Sequence, residues 1–289
     1  MAIILPQGLP AAETLRSEGV PVVSQADACL HILVLNLMPT KVVTETQLAR
    51  VLASGKPTVS MELLRTGTHQ ATHVSQEHMD TFYKTLEQVQ HRQFDGLIIT
   101  GAPVEHLEFE QVDYWQELCR VIHWSRTHVR STLYICWGAQ AGLYYNFGIP
   151  KAPLPEKLFG IYPHTADGVG AKLLLGMEAG FPVPHSRHTT IHRAEVEKVP
   201  QVKILASSHQ AGVYAMESGR DVYLTGHIEY DPDTLEREYL RDKSQGLPIH
   251  VPVNYYPGDD PTQKPMFTWH ESAKTLFANW LEHYAAPHK

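Results

Sequence analysis

The chain has 289 residues, of which 43% are hydrophobic and 19% are charged. This balance is typical of a folded globular protein and argues against disorder. With 24 basic and 31 acidic residues the formal net charge is −7, which argues against a nucleic-acid-binding surface. No apolar run approaches the ~20 residues that span a bilayer, so we expect no membrane segment.

The cysteines and histidines point to a reduced, metal-free protein. Three cysteines, Cys29, Cys119 and Cys136, are too few for a disulfide framework. The 18 histidines are scattered, and we find neither a Cys-x-x-Cys motif nor a zinc-like histidine pair on a helical pattern. Residues 1–6 lack the basic region and cleavage site of a signal peptide. We therefore expect a cytoplasmic protein without a bound metal.

Short apolar runs alternate with amphipathic stretches through the first half of the chain. An alternation of this kind predicts right-handed crossovers and a mostly parallel sheet with helices on both faces. The predicted strands cover residues 31–37, 58–64, 94–100 and 131–136. The predicted helices begin at a capping box over residues 44–47, at Ser75 and near Asp113.

The second half contains more β-structure. Residues 213–216 and 221–225 predict a β-hairpin, and two helices are predicted near residues 233–243 and 271–284. The whole pattern predicts a single α/β domain over residues 1–289, with peripheral β-hairpin and helical additions.

Cys136 is the best candidate for a nucleophile. It ends an apolar strand, and Trp-Gly-Ala-Gln-Ala-Gly follows as a tight turn into a helix. This is the pattern of a nucleophile elbow with cysteine in place of serine. The helix N-terminus favours the thiolate, and nearby backbone N–H groups can hold an oxyanion. A small buried hydrophobe is the alternative interpretation of Cys136, and we prefer it for Cys29 and Cys119.

A base and its orienting group are expected at the end of another strand. The sequence Thr-Gly-His-Ile-Glu at residues 225–229 places His227 two residues before Glu229. If the backbone is extended there, the two side chains share a face. Glu229 then fixes the imidazole tautomer of His227, and the three residues predict a Cys–His–Glu triad.

Several motifs, in order along residues 1–285, resemble the homoserine O-acyltransferases. This transsuccinylase and transacetylase group has a class I glutamine-amidotransferase-like, flavodoxin-like fold. The motifs are Leu-Asn-Leu-Met-Pro (35–39), Thr-Gly-Ala-Pro (100–103), Cys-Trp-Gly-Ala-Gln (136–140), Pro-Glu-Lys-Leu (155–158), Pro-His-Ser-Arg (184–187), Thr-Gly-His with Glu-Tyr-Asp (225–231) and Asn-Tyr-Tyr-Pro (254–257).

The resemblance implies a ping-pong acyl transfer. The Cys136 thiolate would attack an acyl-CoA thioester, and His227, oriented by Glu229, would then deprotonate the acceptor hydroxyl. No bound cofactor is implied, since acyl-CoA is a co-substrate, and the family often forms homodimers. The motifs also carry over three acceptor-binding residues: Lys157, Ser186 and Arg241. Without the resemblance these three are more simply a solvated lysine, a loop serine and a helix-surface ion pair.

Glu105 is the residue that indicates the acyl donor. Family members that use succinyl-CoA carry glycine at this position, and those that use acetyl-CoA carry glutamate. A glutamate fills the space beyond an acetyl group and repels the succinyl carboxylate. An ordinary loop carboxylate is the simpler interpretation, but the resemblance predicts acetyl-CoA.

The chain departs from the family pattern at three places. Thr40 replaces the first lysine of Pro-Lys-Lys, which leaves Lys41 as the candidate active-site cation. Ile228 replaces the proline of His-Pro-Glu, and Trp-His-Glu-Ser at residues 269–272 replaces Trp-Arg-Ser-His. These changes bear on the acceptor, since homoserine and serine differ by one methylene, worth only ~1–3 kcal/mol in a pocket.

Homoserine O-acetylation, which makes an activated ester for methionine synthesis, is therefore the leading hypothesis. The same chemistry on L-serine, for cysteine synthesis, is the nearest alternative. A class I amidotransferase-type glutaminase shares the elbow cysteine and the His-x-Glu pair, but Glu105 and Pro-His-Ser-Arg argue against it. A non-catalytic binding module is the remaining alternative.

Overall fold

The computed structural model describes residues 2–27, 29–67 and 74–287. Within these ranges, twelve strands join in one sheet. The strands are β1 (Ile3–Ile4), β2 (Val22–Val23), β3 (Leu30–Leu35), β4 (Val59–Leu64), β5 (Tyr83–Lys84), β6 (Phe94–Ile99), β7 (Val129–Ile135), β8 (Ala152–Ala166), β9 (Phe181–Thr190), β10 (Lys203–Ser208), β11 (Gly212–Ser218) and β12 (Asp221–Leu224).

The sheet has a parallel half and an antiparallel half. Its order is β2-β1-β4-β3-β6-β7-β12-β11-β10-β8-β9, with β5 paired to β4. Neighbours from β2 to β12 are parallel, and neighbours from β12 to β9 are antiparallel. The prediction of a mostly parallel core with a β-hairpin addition is confirmed, since β11 and β12 form that hairpin.

Helices cover both faces of the parallel half. Along β3, Ile32 and Val34 enter one apolar cluster while Leu33 and Leu35 enter the other. This alternation is how a strand buried on both faces divides its side chains. The helices are α1 (Pro10–Ser17), α2 (Lys41–Leu52), α3 (Gln76–Phe82), α4 (Leu86–Val89), α5 (Trp115–His128), α6 (Trp137–Phe147), α7 (Arg193–Glu197), α8 (Thr234–Ser244) and α9 (His270–Trp280).

Two helix starts test the predicted caps. The cap at Ser75 is confirmed, because its hydroxyl accepts the His78 N–H at 3.2 Å. The capping box at residues 44–47 is wrong: α2 begins at Lys41, so Thr44 and Gln47 are interior residues of this helix. Both residues are buried, and the Gln47 amide donates to Thr234 Oγ1 at 2.8 Å.

The long antiparallel pair β8–β9 was missed by the sequence pattern. Prolines at 153, 155, 182 and 184 interrupt the apolar alternation, and proline in a strand is confined to edges and bulges. Here β9 is the edge of the sheet, and the register of β8 shifts between Pro153 and Leu158. None of the described helices is long and apolar enough to cross a membrane.

Candidate active site

The site forms where four adjacent parallel strands end. β3, β6, β7 and β12 are neighbours in this order, so their carboxyl ends lie along one edge. Reactive groups in open α/β sheets gather outside this edge. Asn36, Gly101, Cys136 and His227 follow the four strands in turn.

Cys136 occupies the predicted elbow. It separates β7 from α6 and has φ 52° and ψ −115°, a strained conformation for a residue with a side chain. Its N–H donates to Leu224 O at 2.7 Å, and its carbonyl accepts the Gln140 N–H at 3.2 Å. A glycine at 138 allows the turn, because a Cβ there would lie 2.6 Å from Thr100 O. The elbow therefore holds the thiol at the N-terminus of α6.

His227 and Glu229 form the expected pair, but through a turn. The Tyr230 N–H donates to His227 O at 3.2 Å, so the backbone is not extended as predicted. The turn still places His227 Nδ1 2.8 Å from Glu229 Oε1. Burial by itself lowers the pKa of His227, but the charges of Cys136 and Glu229 and hydrogen bonds to both outweigh it. The pKa of His227 therefore lies well above its usual value.

Gly101 and Tyr230 bound the space around the triad. A Cβ on Gly101 would lie 3.3 Å from both Cys136 Cβ and His227 Cε1, so glycine keeps this approach open. The Tyr230 ring stacks on the imidazole of His227 at 4.2 Å between centroids. Trp269 Nε1 donates to Tyr230 O at 2.9 Å, which connects the segment that departs from the family pattern to the turn that carries His227 and Glu229.

Glu105 follows Gly101 by four residues, in the loop after β6, and is 9% exposed. Its Oε2 accepts the His188 N–H at 3.0 Å, and its Oε1 lies 3.5 Å from Thr189 Oγ1. Burial raises the pKa of Glu105, while the His188 N–H and the charges of Arg187 and His227 oppose the rise. The side chain of Glu105 is therefore held against the end of β9.

The three predicted acceptor residues meet around carboxylates of α8. Lys157 Nζ and Ser186 Oγ both donate to Glu238 Oε1, at 2.6 and 2.7 Å. Arg241 Nη2 lies 2.6 Å from Asp242 Oδ1, and Lys157 Nζ lies 3.3 Å from Asp242 Oδ2. Sequence reasoning missed Glu238 and Asp242. Their signal is an i, i+4 pair of carboxylates that flanks Arg241 on one helix.

The pKa of Tyr230 responds both to the carboxylates of α8 and to the residues around Cys136. Burial raises this pKa well above the usual value, and the charges of Glu238, Glu229 and Cys136 add to the rise.

Lys41 is buried next to the carboxyl end of β3. Its Nζ donates to Asn36 O at 2.6 Å. Burial lowers the pKa of Lys41 to about 8, against the opposing charge of Glu45. Thr40 is exposed, so the lysine missing from the family pattern falls on the solvent side and the retained one is buried. Across the described ranges, no three His, Cys, Asp or Glu side chains are arranged to hold a metal ion.

Comparison with solved structures shows the fold. A glutamine amidotransferase from Thermotoga maritima superposes with a TM-score of 0.57 at 14% identity, over 89% of this chain and 99% of that chain. A glutamine amidotransferase from Methylobacillus flagellatus gives 0.55 at 12% identity, over 88% and 94%. The predicted class I glutamine-amidotransferase-like fold is confirmed.

Comparison with sequences shows the family. The homoserine O-acetyltransferase of Petrotoga mobilis is 50% identical, over 98% of this chain and 94% of that protein. The homoserine O-acetyltransferase of Geobacillus kaustophilus is also 50% identical, over 98% and 97%. The model of the homoserine O-succinyltransferase family matches residues 2–288. The chain therefore belongs to this family of homoserine O-acyltransferases.

Proposed function

We propose that the protein transfers an acetyl group from acetyl-CoA to the hydroxyl of L-homoserine, a step of methionine biosynthesis, through an acyl thioester on Cys136. The observation that carries the proposal is the buried Cys136–His227–Glu229 arrangement at the strand edge. Glu105 is buried as well and is held against the end of β9. Relatives at 50% identity that are named homoserine O-acetyltransferase support the same activity.

In the first half-reaction Cys136 Sγ attacks the thioester carbonyl. The resulting oxyanion lies near the free N–H groups at the start of α6, which favour negative charge. The tetrahedral intermediate collapses, the C–S bond to CoA breaks, and the acetyl group stays on Cys136. The imidazolium of His227 gives its proton to the departing CoA thiolate.

In the second half-reaction His227 is neutral and accepts the proton of the homoserine hydroxyl. The oxygen attacks the acyl carbonyl, and the Cys136 thiolate leaves as O-acetylhomoserine forms. Glu229 accepts a hydrogen bond from Nδ1–H and thereby leaves Nε2 free to act as the base. Acylation removes the Cys136 negative charge that raises the pKa of His227, so acyl transfer itself prepares the base.

Glu105 sets the acyl donor in this proposal. The family name refers to succinyl transfer and the relatives' names to acetyl transfer, so the donor must be decided by the site. A buried carboxylate that is fixed by the His188 N–H would repel the terminal carboxylate of a succinyl group. Acetyl lacks that charge and is smaller.

The acceptor is held by the cluster around Glu238. Free homoserine carries one ammonium and one carboxylate at neutral pH. The carboxylates of Glu238 and Asp242 suit the ammonium, and the cations of Arg241 and Lys157 suit the carboxylate, with Arg241 offering a bidentate fork. Ser186 Oγ holds Glu238 in place from β9.

The proposal also covers Lys41, the domain organisation and the assembly of the protein. We propose that Lys41 supplies a positive charge at the donor side of the site, because it is buried beside the strand edge. Residues 1–289 are proposed to act as one domain because the described strands join in one sheet. We also propose that the protein is a homodimer without a bound cofactor or metal, as the family resemblance implies. The three free cysteines support a location in the reducing cytoplasm.

The decisive experiment is CoA release by the purified protein with each of two donors and two acceptors. Acetyl-CoA with L-homoserine should give the highest kcat/KM, and the Cys136 peptide should carry one acetyl group when homoserine is omitted. Higher kcat/KM with L-serine would move the protein to cysteine synthesis with the same mechanism. Ammonia release from glutamine, without acyl transfer, would show a glutaminase instead.

A further inference from the structure

Arg187 is a buried cation whose hydrogen bonds all go to neutral groups. Its side chain is 1% exposed. Nε donates to His185 Nδ1 at 3.2 Å, and the two Nη atoms donate to Thr189 O and Ala211 O at 2.6 Å each. Burial of a charge without a paired carboxylate is costly. The cost indicates that the positive charge itself has a use.

Two buried histidines hold Arg187 in one orientation. Because Arg187 donates to His185 Nδ1, a neutral His185 carries its proton on Nε2 and donates to His164 Nε2 at 3.3 Å. His164 then carries its proton on Nδ1 and donates to Tyr162 O at 2.9 Å. Burial lowers the pKa of His164 to about 4, and burial and Arg187 lower the pKa of His185 as well. Both rings are therefore neutral at physiological pH. Each group donates to the next, from Arg187 through His185 and His164 to Tyr162 O.

The hydrogen-bonded series Arg187–His185–His164 packs directly against the backbone that carries His227. A Cβ on Gly226 would lie 2.9 Å from the ring of His185, so the ring and the turn touch without an intervening side chain. The His227 N–H donates to Pro184 O at 2.8 Å. Thr189 Oγ1 also donates to Gln140 Oε1 at 2.8 Å, one turn after the elbow. β9 is thus hydrogen-bonded both to the turn that carries His227 and to the helix that follows Cys136.

The guanidinium of Arg187 interacts electrostatically with two acidic groups of the site. Burial lowers the pKa of Arg187, and the negative charges of Cys136 and Glu105 oppose this fall. The neighbours of Arg187 on β9 contact both parts of the site: the His188 N–H donates to Glu105 Oε2 at 3.0 Å, and Thr189 Oγ1 donates to Gln140 on α6 at 2.8 Å. The guanidinium is buried one or two residues from these contacts, where its charge is weakly screened by solvent.

We propose that Arg187 is a positioning residue whose fixed positive charge favours the thiolate of Cys136, and that His185 and His164 aim it. The other charged groups near the thiol are the imidazolium of His227, which favours the thiolate, and the carboxylates of Glu105 and Glu229, which oppose it. The pKa of Tyr230 lies well above its usual value, so this phenol stays neutral and adds no charge. The positive charge of Arg187 therefore offsets the negative charge of Glu105 as well as that of the Cys136 thiolate. The inference rests on the proposed role of Cys136 as nucleophile but not on the identity of either substrate.

The test is the rate of alkylation of Cys136 by iodoacetamide without substrates, from pH 5 to 9. Mass spectrometry of peptides separates Cys136 from Cys29 and Cys119, which are partly exposed. Arg187→Met should slow alkylation of Cys136 about tenfold at neutral pH and move the profile to higher pH. Glu105→Gln should act in the opposite direction, with faster alkylation and a profile at lower pH.

A matched control separates charge at the site from net charge. Arg193→Met removes one cation from an exposed position paired with Asp167 and should leave alkylation unchanged. Equal profiles for Arg187→Met and the parent protein would overturn the inference, as would slower alkylation in Glu105→Gln or an equal loss in Arg193→Met. If Arg187→Met does not fold, His164→Phe decides with Glu105→Gln: it must slow alkylation, because it removes the acceptor that orients His185.

Failure of the proposed function gives a different result. If acetyl-CoA leaves no acetyl group on Cys136 of the parent protein, Cys136 does not carry the acyl group, and the proposed mechanism fails before any variant is compared.

Discussion

His227 Nδ1 lies 2.8 Å from Glu229 Oε1, and both side chains are buried in the turn that follows β12. This contact fixes which ring nitrogen faces the elbow. It also makes the protonation of His227 depend on two negative charges, of which only the one on Glu229 survives acylation of Cys136.

The two half-reactions should therefore differ in their dependence on pH. Acylation of Cys136 tolerates protonated His227, since a thiolate beside an imidazolium is already the reactive pair. Transfer to homoserine needs neutral His227, so its rate should fall first as the pH is lowered. Stopped-flow CoA release without acceptor, and deacylation of the acetyl-enzyme by homoserine, measure the two limbs separately. Coinciding acidic limbs would contradict the assigned roles.

Glu229→Gln should lower kcat by about 10²–10⁴-fold, because the amide no longer fixes the proton on Nδ1 or balances the imidazolium. Glu217→Gln is the matched control, since Glu217 accepts a hydrogen bond from Tyr284 on a distant part of the sheet. Steady-state assays of both variants check the prediction. Similar losses in the two variants would show a general loss of structure.

Glu105→Gly should shift donor preference toward succinyl-CoA. The change removes a buried carboxylate and opens the space that it fills. Glu105→Gln keeps the size and removes the charge, so a partial gain with succinyl-CoA would assign the remainder to size. The ratio of kcat/KM for the two donors measures the shift. A Glu105→Gly protein with the parent ratio would remove Glu105 from donor selection.

Glu238→Gln should raise the KM for homoserine more than tenfold and leave acylation of Cys136 nearly unchanged. The amide would lose the charge that pairs with an ammonium and would weaken the contacts to Lys157 and Ser186. Arg237→Met on the same helix is the control, since Arg237 pairs at the surface with Asp233. Acylation that falls as strongly as acceptor use would place Glu238 in both half-reactions.

The sequence predicted those parts of the molecule that local patterns encode. The apolar runs before Asn36, Gly101 and Cys136 indicated the parallel strands because each is buried on both faces. The ends of these strands then predicted where the triad lies, because the carboxyl ends of neighbouring parallel strands lie along one edge of the sheet. The turn at His227 was not predicted, because side chains two residues apart share a face in an extended strand and also meet across this turn.

Contacts between distant segments were beyond local patterns. The carboxylates Glu238 and Asp242 look like a solvated helix face until β9 places Ser186 against α8. The hydrogen-bonded series from Arg187 to His164 likewise depends on the pairing of β8 with β9. Prolines interrupt the apolar alternation of both strands, so the sequence pattern predicts neither. No period in the sequence shows which residues of a proline-interrupted edge strand point inward.

Gly138→Ala should destabilise the fold and displace the nucleophile together. The added Cβ would lie 2.6 Å from Thr100 O and 2.7 Å from Ile99 O, and both are backbone atoms that no side-chain rotation can clear. We expect a loss of about 1–3 kcal/mol in the free energy of unfolding, as for other forced overpacking. Gly168→Ala is the control: no atom lies within 4 Å of its Cβ position, so the change should stay within about 0.5 kcal/mol. Urea unfolding measures both variants. Equal stability of the two would mean that α6 moves away from β6 without cost, and the elbow would then not be held by the close approach at residue 138.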